Sequence, residues 1–184
     1  MKSKLDVTLT DFIYAIVVGA AFQRIDAPVF SISNLYLLIA FVVIIDDWVL
    51  YHLQASKVPD SKLAFSKSLV IDSFVLLTWY CAAVSGSHAH DPSYPYVRDF
   101  YIGLGVFYIF TITWEISFKD ITGNSGRVLP DALALTVVFS AFLMRDTSNF
   151  LIIAPVLFIL WLFARSIAWR RLVFNDKFCA SKIN

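Results

Sequence analysis

The run "FVVIIDDWVLYH", residues 41–52, sets two adjacent aspartates, Asp46 and Asp47, near the end of a segment otherwise apolar enough to lie within a membrane. An ionised carboxylate at the centre of a spanning helix costs roughly 2.5–3.5 kcal/mol on insertion scales, so such groups are kept for pairing, proton relays or ion paths. Successive residues of a helix point about 100° apart, so Asp46 and Asp47 cannot share one environment. Asp47, Tyr51 and Gln54 recur on one face, and Trp48 and His52 form an i, i+4 pair beside them. Four more acids fall at a comparable depth: Asp11, Asp72, Asp131 and Glu115. Glu115 ends a stripe of small and polar residues, Tyr101, Gly105, Tyr108 and Thr111, whose composition suits a face turned toward other helices or a wet cavity. Arg165 is the one basic residue expected at that level, and so the expected counter-charge.

The acids divide by helix position. Asp11, Asp72 and Asp131 open odd-numbered helices, where the dipole favours a carboxylate; "TLTD" resembles a capping box and Pro130-Asp131 a helix start. Capping or interfacial placement is the leading expectation for these three. Asp46, Asp47 and Glu115 lie near helix C-termini, against the negative end of the dipole, and require partners or water. Trp48, Trp161 and Trp169 are expected in the interfacial aromatic belt, and His52 as an interfacial donor.

Other chemistries lack their residues. The chain has no Gly-x-Ser-x-Gly, no His-Glu-x-x-His, no bis-histidine haem spacing and no phosphate loop, so an enzyme is not expected, nor a cofactor or a metal centre. His88, His90 and Asp91 in "SHAHD" offer at most a surface metal pair. Cys81 and Cys179 are too far apart in sequence for metal spacing and read as inert thiols.

The elements that must position these residues are helices. The 184 residues are 59% hydrophobic with a mean hydropathy of +0.71, which fits a polytopic membrane protein rather than a domain with one small core. The fold class expected is all-α: a bundle of six transmembrane helices at about 7–25, 34–53, 69–85, 99–118, 128–144 and 150–169, forming one membrane domain. "DFIYAIVVGAAF", "DSFVLLTWYCAAV" and "DALALTVVFSAF" each begin an odd helix with aspartate, which raises the prospect of three repeated helical hairpins.

Net charge is +1, so nothing suggests a nucleic-acid partner; the partner implied is the lipid bilayer. Twelve of the fifteen Lys and Arg residues fall at the termini and in the even-numbered connections, which predicts that both termini are cytoplasmic. Lys2 and Lys4 before an apolar run also suit a cleaved signal peptide, but Asp6 and Asp11 argue against it.

"LTDFIYAI", residues 9–16, resembles the Phe-Ser-Asp-x-x-x-Ala-Ile signature of the first helix in the endolysosomal potassium channel family and its short bacterial members. Asp11, Ala15 and Ile16 match, Thr10 stands for serine and Leu9 for phenylalanine. "WVLYH", residues 48–52, is similar to the family's Trp-x-x-His-His, with Tyr51 in place of the first histidine. The resemblance implies a homo-oligomer, a tetramer with first helices around a central pore, an apolar constriction at Ile16, and Thr10 and Asp11 in a network supporting that helix. The arginine that usually precedes the signature is absent, Phe12 occupies a normally small position, and Asp46 and Asp47 have no counterpart.

The resulting expectation is an oligomeric channel for monovalent cations or protons, with an acidic level on the cytoplasmic side built from Asp46, Asp47, Asp72, Glu115 and Arg165 beside Trp48, Tyr51 and His52. The alternatives are a non-conducting sensor or scaffold that binds a partner between its helices, and a proton-coupled small-solute carrier.

Overall fold

The computed structural model describes residues 2–25, 31–55, 65–91, 95–122 and 127–180. They form six helices and, among the described residues, no strand: α1 (Lys2–Phe22), α2 (Ile32–Ala55), α3 (Phe65–Ser87), α4 (Tyr96–Thr122), α5 (Val128–Met144) and α6 (Phe150–Ala180). Most begin before or end after the apolar stretch that marks them in sequence, because polar residues at the interface continue the helix. Four carry segments long and apolar enough to cross a membrane, at Ile32–Leu53, Val70–Ser87, Tyr96–Ser117 and Ile152–Arg171. The apolar parts of α1 (Asp11–Phe22) and α5 are shorter.

Consecutive helices run antiparallel. At one end, Ser33 at the start of α2 contacts His90 just after α3, and Tyr36 packs edge-on to Phe100 at the start of α4. At the other, Asp47 late in α2 meets Arg127 at the start of α5. Helix α3 packs on α2 and α4, α5 on α4 and α6, and α6 returns to α2, which closes a ring of five. Helix α1 lies outside the ring against α3, and reaches α2 through side chains such as Phe22, stacked on Phe41 with ring centroids 4.2 Å apart.

Helices α3 and α4 approach closely, and small residues permit it. A Cβ placed on Gly103 would lie 2.9 Å from the Cβ of Ala82 and 3.0 Å from its backbone nitrogen. Close backbone approach of this kind is how helices gain dispersion energy where lipid supplies no hydrophobic drive. Aromatic side chains fill the interior away from the charged end: Trp79, Phe100 and Phe107 are fully buried, and the Trp79 indole donates to the Ala40 carbonyl at 2.7 Å. The outside is apolar instead. Ile102, Ile109 and Ile116 recur every seven residues along the exposed side of α4, and Ile152, Ile159 and Phe163 are exposed on α6. An apolar exterior around buried charges is the arrangement a bilayer demands.

Candidate functional site

Five helices bring acids or arginines to one level of the bundle. Asp46 and Asp47 come from late α2, Asp72 from early α3, Glu115 from late α4, Arg127 and Asp131 from the start of α5, and Arg165 from late α6. Asp47, Asp72, Glu115, Asp131, Arg127 and Arg165 are all buried, and only 13% of the Asp46 side chain is exposed.

The two arginines organise the layer. Arg127 directs Nη2 to Asp47 and lies 3.6 Å from Asp131, while its Nε is 3.3 Å from Glu115. Arg165 directs Nε to Asp46 and Nη1 to Asp131. Asp131 therefore joins both. The guanidinium fork suits this bridging because its N–H groups point in fixed, separate directions. Neutral donors complete the layer: Tyr14 of α1 donates to Asp47 at 3.1 Å, and the Trp169 indole to Asp46 at 2.8 Å. Every helix, α1 included, thus contributes a side chain. A polar cleft of about 10 Å³ among Tyr14, Asp47, Asp72, Thr111 and Arg127 has room for about one water-sized particle.

A second, more exposed cluster ties α1 to α2. One oxygen of Asp11 accepts from the Trp48 indole at 3.0 Å and lies 3.0 Å from His52 Nε2, while His52 Nδ1 is 2.9 Å from the Trp48 carbonyl. Tyr51 is buried behind them against Trp114. Ile16 projects outward from α1, 54% exposed, away from both clusters. The Thr10 side chain lies outside the described residues, as does that of Gln54.

Several sequence expectations are corrected. Asp11 and Asp72 do not cap helices, because α1 begins at Lys2 and α3 at Phe65, so both sit well inside their helices. Asp131 does lie in the first turns of α5, but its carboxylate pairs with the arginines. Arg165 is not the sole basic group of the layer: Arg127 reads as part of the polar turn "ITGNSGR", yet α5 starts at Val128 and carries it inward. Its i, i+4 spacing to Asp131 was the available signal. Trp161 is not a belt residue; it is buried, and its indole donates to the Tyr108 hydroxyl at 2.7 Å. His88 and His90 face Val84 and Ser33, and among the described residues no three His, Cys, Asp or Glu side chains group as metal ligands.

Fold and site together define an all-helical membrane protein with a buried ion-pair layer. Compared with family models, characterised proteins and solved structures, the chain matches none.

Proposed function

We propose that this protein passes protons or monovalent cations across a membrane as a homo-oligomer. One observation carries the reading: five carboxylates share the layer with two guanidiniums, an excess of three negative charges among the described residues if every acid is ionised. A low-dielectric interior disfavours such an excess, and on this reading protons or small cations supply part of the balance. Exchange of those compensating charges is the elementary step of the proposed transport.

The route lies between copies of the chain. Within one copy the bundle beyond the layer is filled by Phe100, Phe107, Trp79 and their neighbours, which leave no continuous polar line among the described residues. On α1, Phe12, Ala15, Ile16 and Gly19 form an outward face. Four such faces around an axis would make an apolar constriction at Ile16, with Asp11 tying the helix to Trp48 of α2. The likeness of residues 9–16 and 48–52 to the endolysosomal potassium channels is in keeping with this. The Lys and Arg distribution supports a cytoplasmic placement of the layer and both termini.

Reconstitution in liposomes tests the proposal. Imposed proton or potassium gradients should dissipate faster with protein than without, and detergent-solubilised protein should be a symmetric oligomer. Silence across voltage and pH in verified, oriented protein, or a monomer, would overturn it.

A second reading draws on the closure of the ion pairs. Both arginines are held by two or more carboxylates, which suits a static clamp in a non-conducting sensor or scaffold. In that case substitutions in the layer would harm assembly and alter no flux.

A further inference from the structure

Beside the charged layer, α2 and α6 part around a cavity of about 100 Å³. Its walls come from α2, α4, α5 and α6, among them Ile39, Val42, Phe100, Ala141, Ala154 and Phe158. Trp161 also lines it, and the one polar side chain besides that indole is Tyr101. Where α2 and α6 meet, they do so at the charged end, through Asp46 with Arg165 and Trp169 and through Leu50 beside Ala168. Ile39 and Val42 on one lip are half-buried, and Phe158 on the other is 43% exposed.

We propose that this crevice is a binding site for one acyl chain of a membrane lipid, entering between α2 and α6 and ending against Trp161. Three observations select that occupant. The lips belong to Ile32–Leu53 and Ile152–Arg171, two segments apolar and long enough to span, so the mouth opens into hydrocarbon and not into water. The walls offer almost nothing for a polar solute or for water to bond, and apolar cavities of this kind stay dry. The space is small: at about 100 Å³ it is below the roughly 150 Å³ of an apolar cavity known to accept benzene, which favours the end of a single linear chain over a fused ring system.

The position gives the site a consequence. Trp161 donates to the Tyr108 hydroxyl at 2.7 Å, and the Tyr108 ring centroid is 6.0 Å from the guanidinium carbon of Arg165. A chain seated on Trp161 therefore bears on the arginine that holds Asp46 and Asp131. The inference rests on the cavity and its mouth, not on ion passage, and its test reads binding alone.

The test is photolabelling of the full chain in vesicles of phosphatidylcholine that includes a fraction with a diazirine near the end of one acyl chain. Labelled peptides are then mapped by mass spectrometry. Label should concentrate on 39–43 and 154–158, above that on Leu77 and Leu143, which are at least as exposed but do not line this cavity. Ala154→Phe, which fills the crevice from α6, should abolish the excess, as should Ala141→Phe from α5; Ile159→Phe on the outer face should not. Label spread evenly over all exposed helices in the unaltered protein would overturn the proposal whether or not either filling variant folds, as would an excess that survives filling.

Discussion

Asp46 and Asp47 are neighbours in sequence, yet they face different arginines: Arg165 of α6 donates to Asp46, and Arg127 at the start of α5 donates to Asp47. The helical turn between consecutive residues makes this possible. It also makes α2 the link between two ion-pair sets that Asp131 joins from the opposite side.

Arg165→Met should destabilise the fold by about 3–5 kcal/mol, because it strands Asp46 and leaves Asp131 only the more distant Arg127. Adding Asp131→Asn to that variant should recover part of the loss, since one under-compensated charge is removed. Unfolding equilibria in mixed micelles measure both. A change below about 1 kcal/mol in the single variant would mean the layer is solvated like a surface.

Arg127→Lys should behave nearly like Arg127→Gln. One ammonium on a flexible stem cannot hold Asp47, Glu115 and Asp131 in the three directions that the guanidinium reaches. Thermal stability of the two variants side by side gives the comparison. Full retention of stability by the lysine variant would show that charge alone suffices.

Gly103→Ala should destabilise by about 1–3 kcal/mol through overpacking, because the new methyl meets the backbone of Ala82 as well as its side chain. Gly105→Ala should be tolerated, since its nearest neighbour would be 3.9 Å away. Equal effects in a paired unfolding measurement would contradict the close α3–α4 contact.

Ile16→Asn should raise conductance or relax its selectivity, with little change in the packing of a single copy because the side chain lies outside its bundle. Asp11→Asn should likewise cost no more than about 1 kcal/mol, since Asp11 and His52 are each roughly a third exposed and solvent screens their pair. It should nonetheless alter flux if Asp11 sets the pose of α1. Bilayer recordings and unfolding curves on the same preparations separate the two effects, and unchanged conductance in Ile16→Asn would remove that residue from the path.

Helix number and class were legible because apolar length is a one-dimensional property: the stretch at 128–144 matches α5 to the residue. The separation of Asp46 from Asp47 and the role of Arg165 as a partner were also readable, since helical angle and the scarcity of buried bases constrain both. Arg127 was not, because the residues before it look like a turn and only the placement of α5 turns its side chain inward. Asp11 and Asp72 looked like caps because polar residues upstream hide where a helix begins. Tyr14 and Trp169 join the layer through single hydrogen bonds across helices, and no local pattern announces such a contact.

Exchangeable positive charge compensates the acids of the layer in the proposed transport, and infrared difference spectroscopy of the reconstituted protein reads the proton part of that charge as the carbonyl stretch of protonated carboxyl groups. In a buffer whose only cations are too bulky to enter the bundle, a band from buried carboxylic acid should be present at neutral pH and fall when a small monovalent cation is added. Absence of that band in the same buffer, with all five carboxylates ionised, would contradict the account.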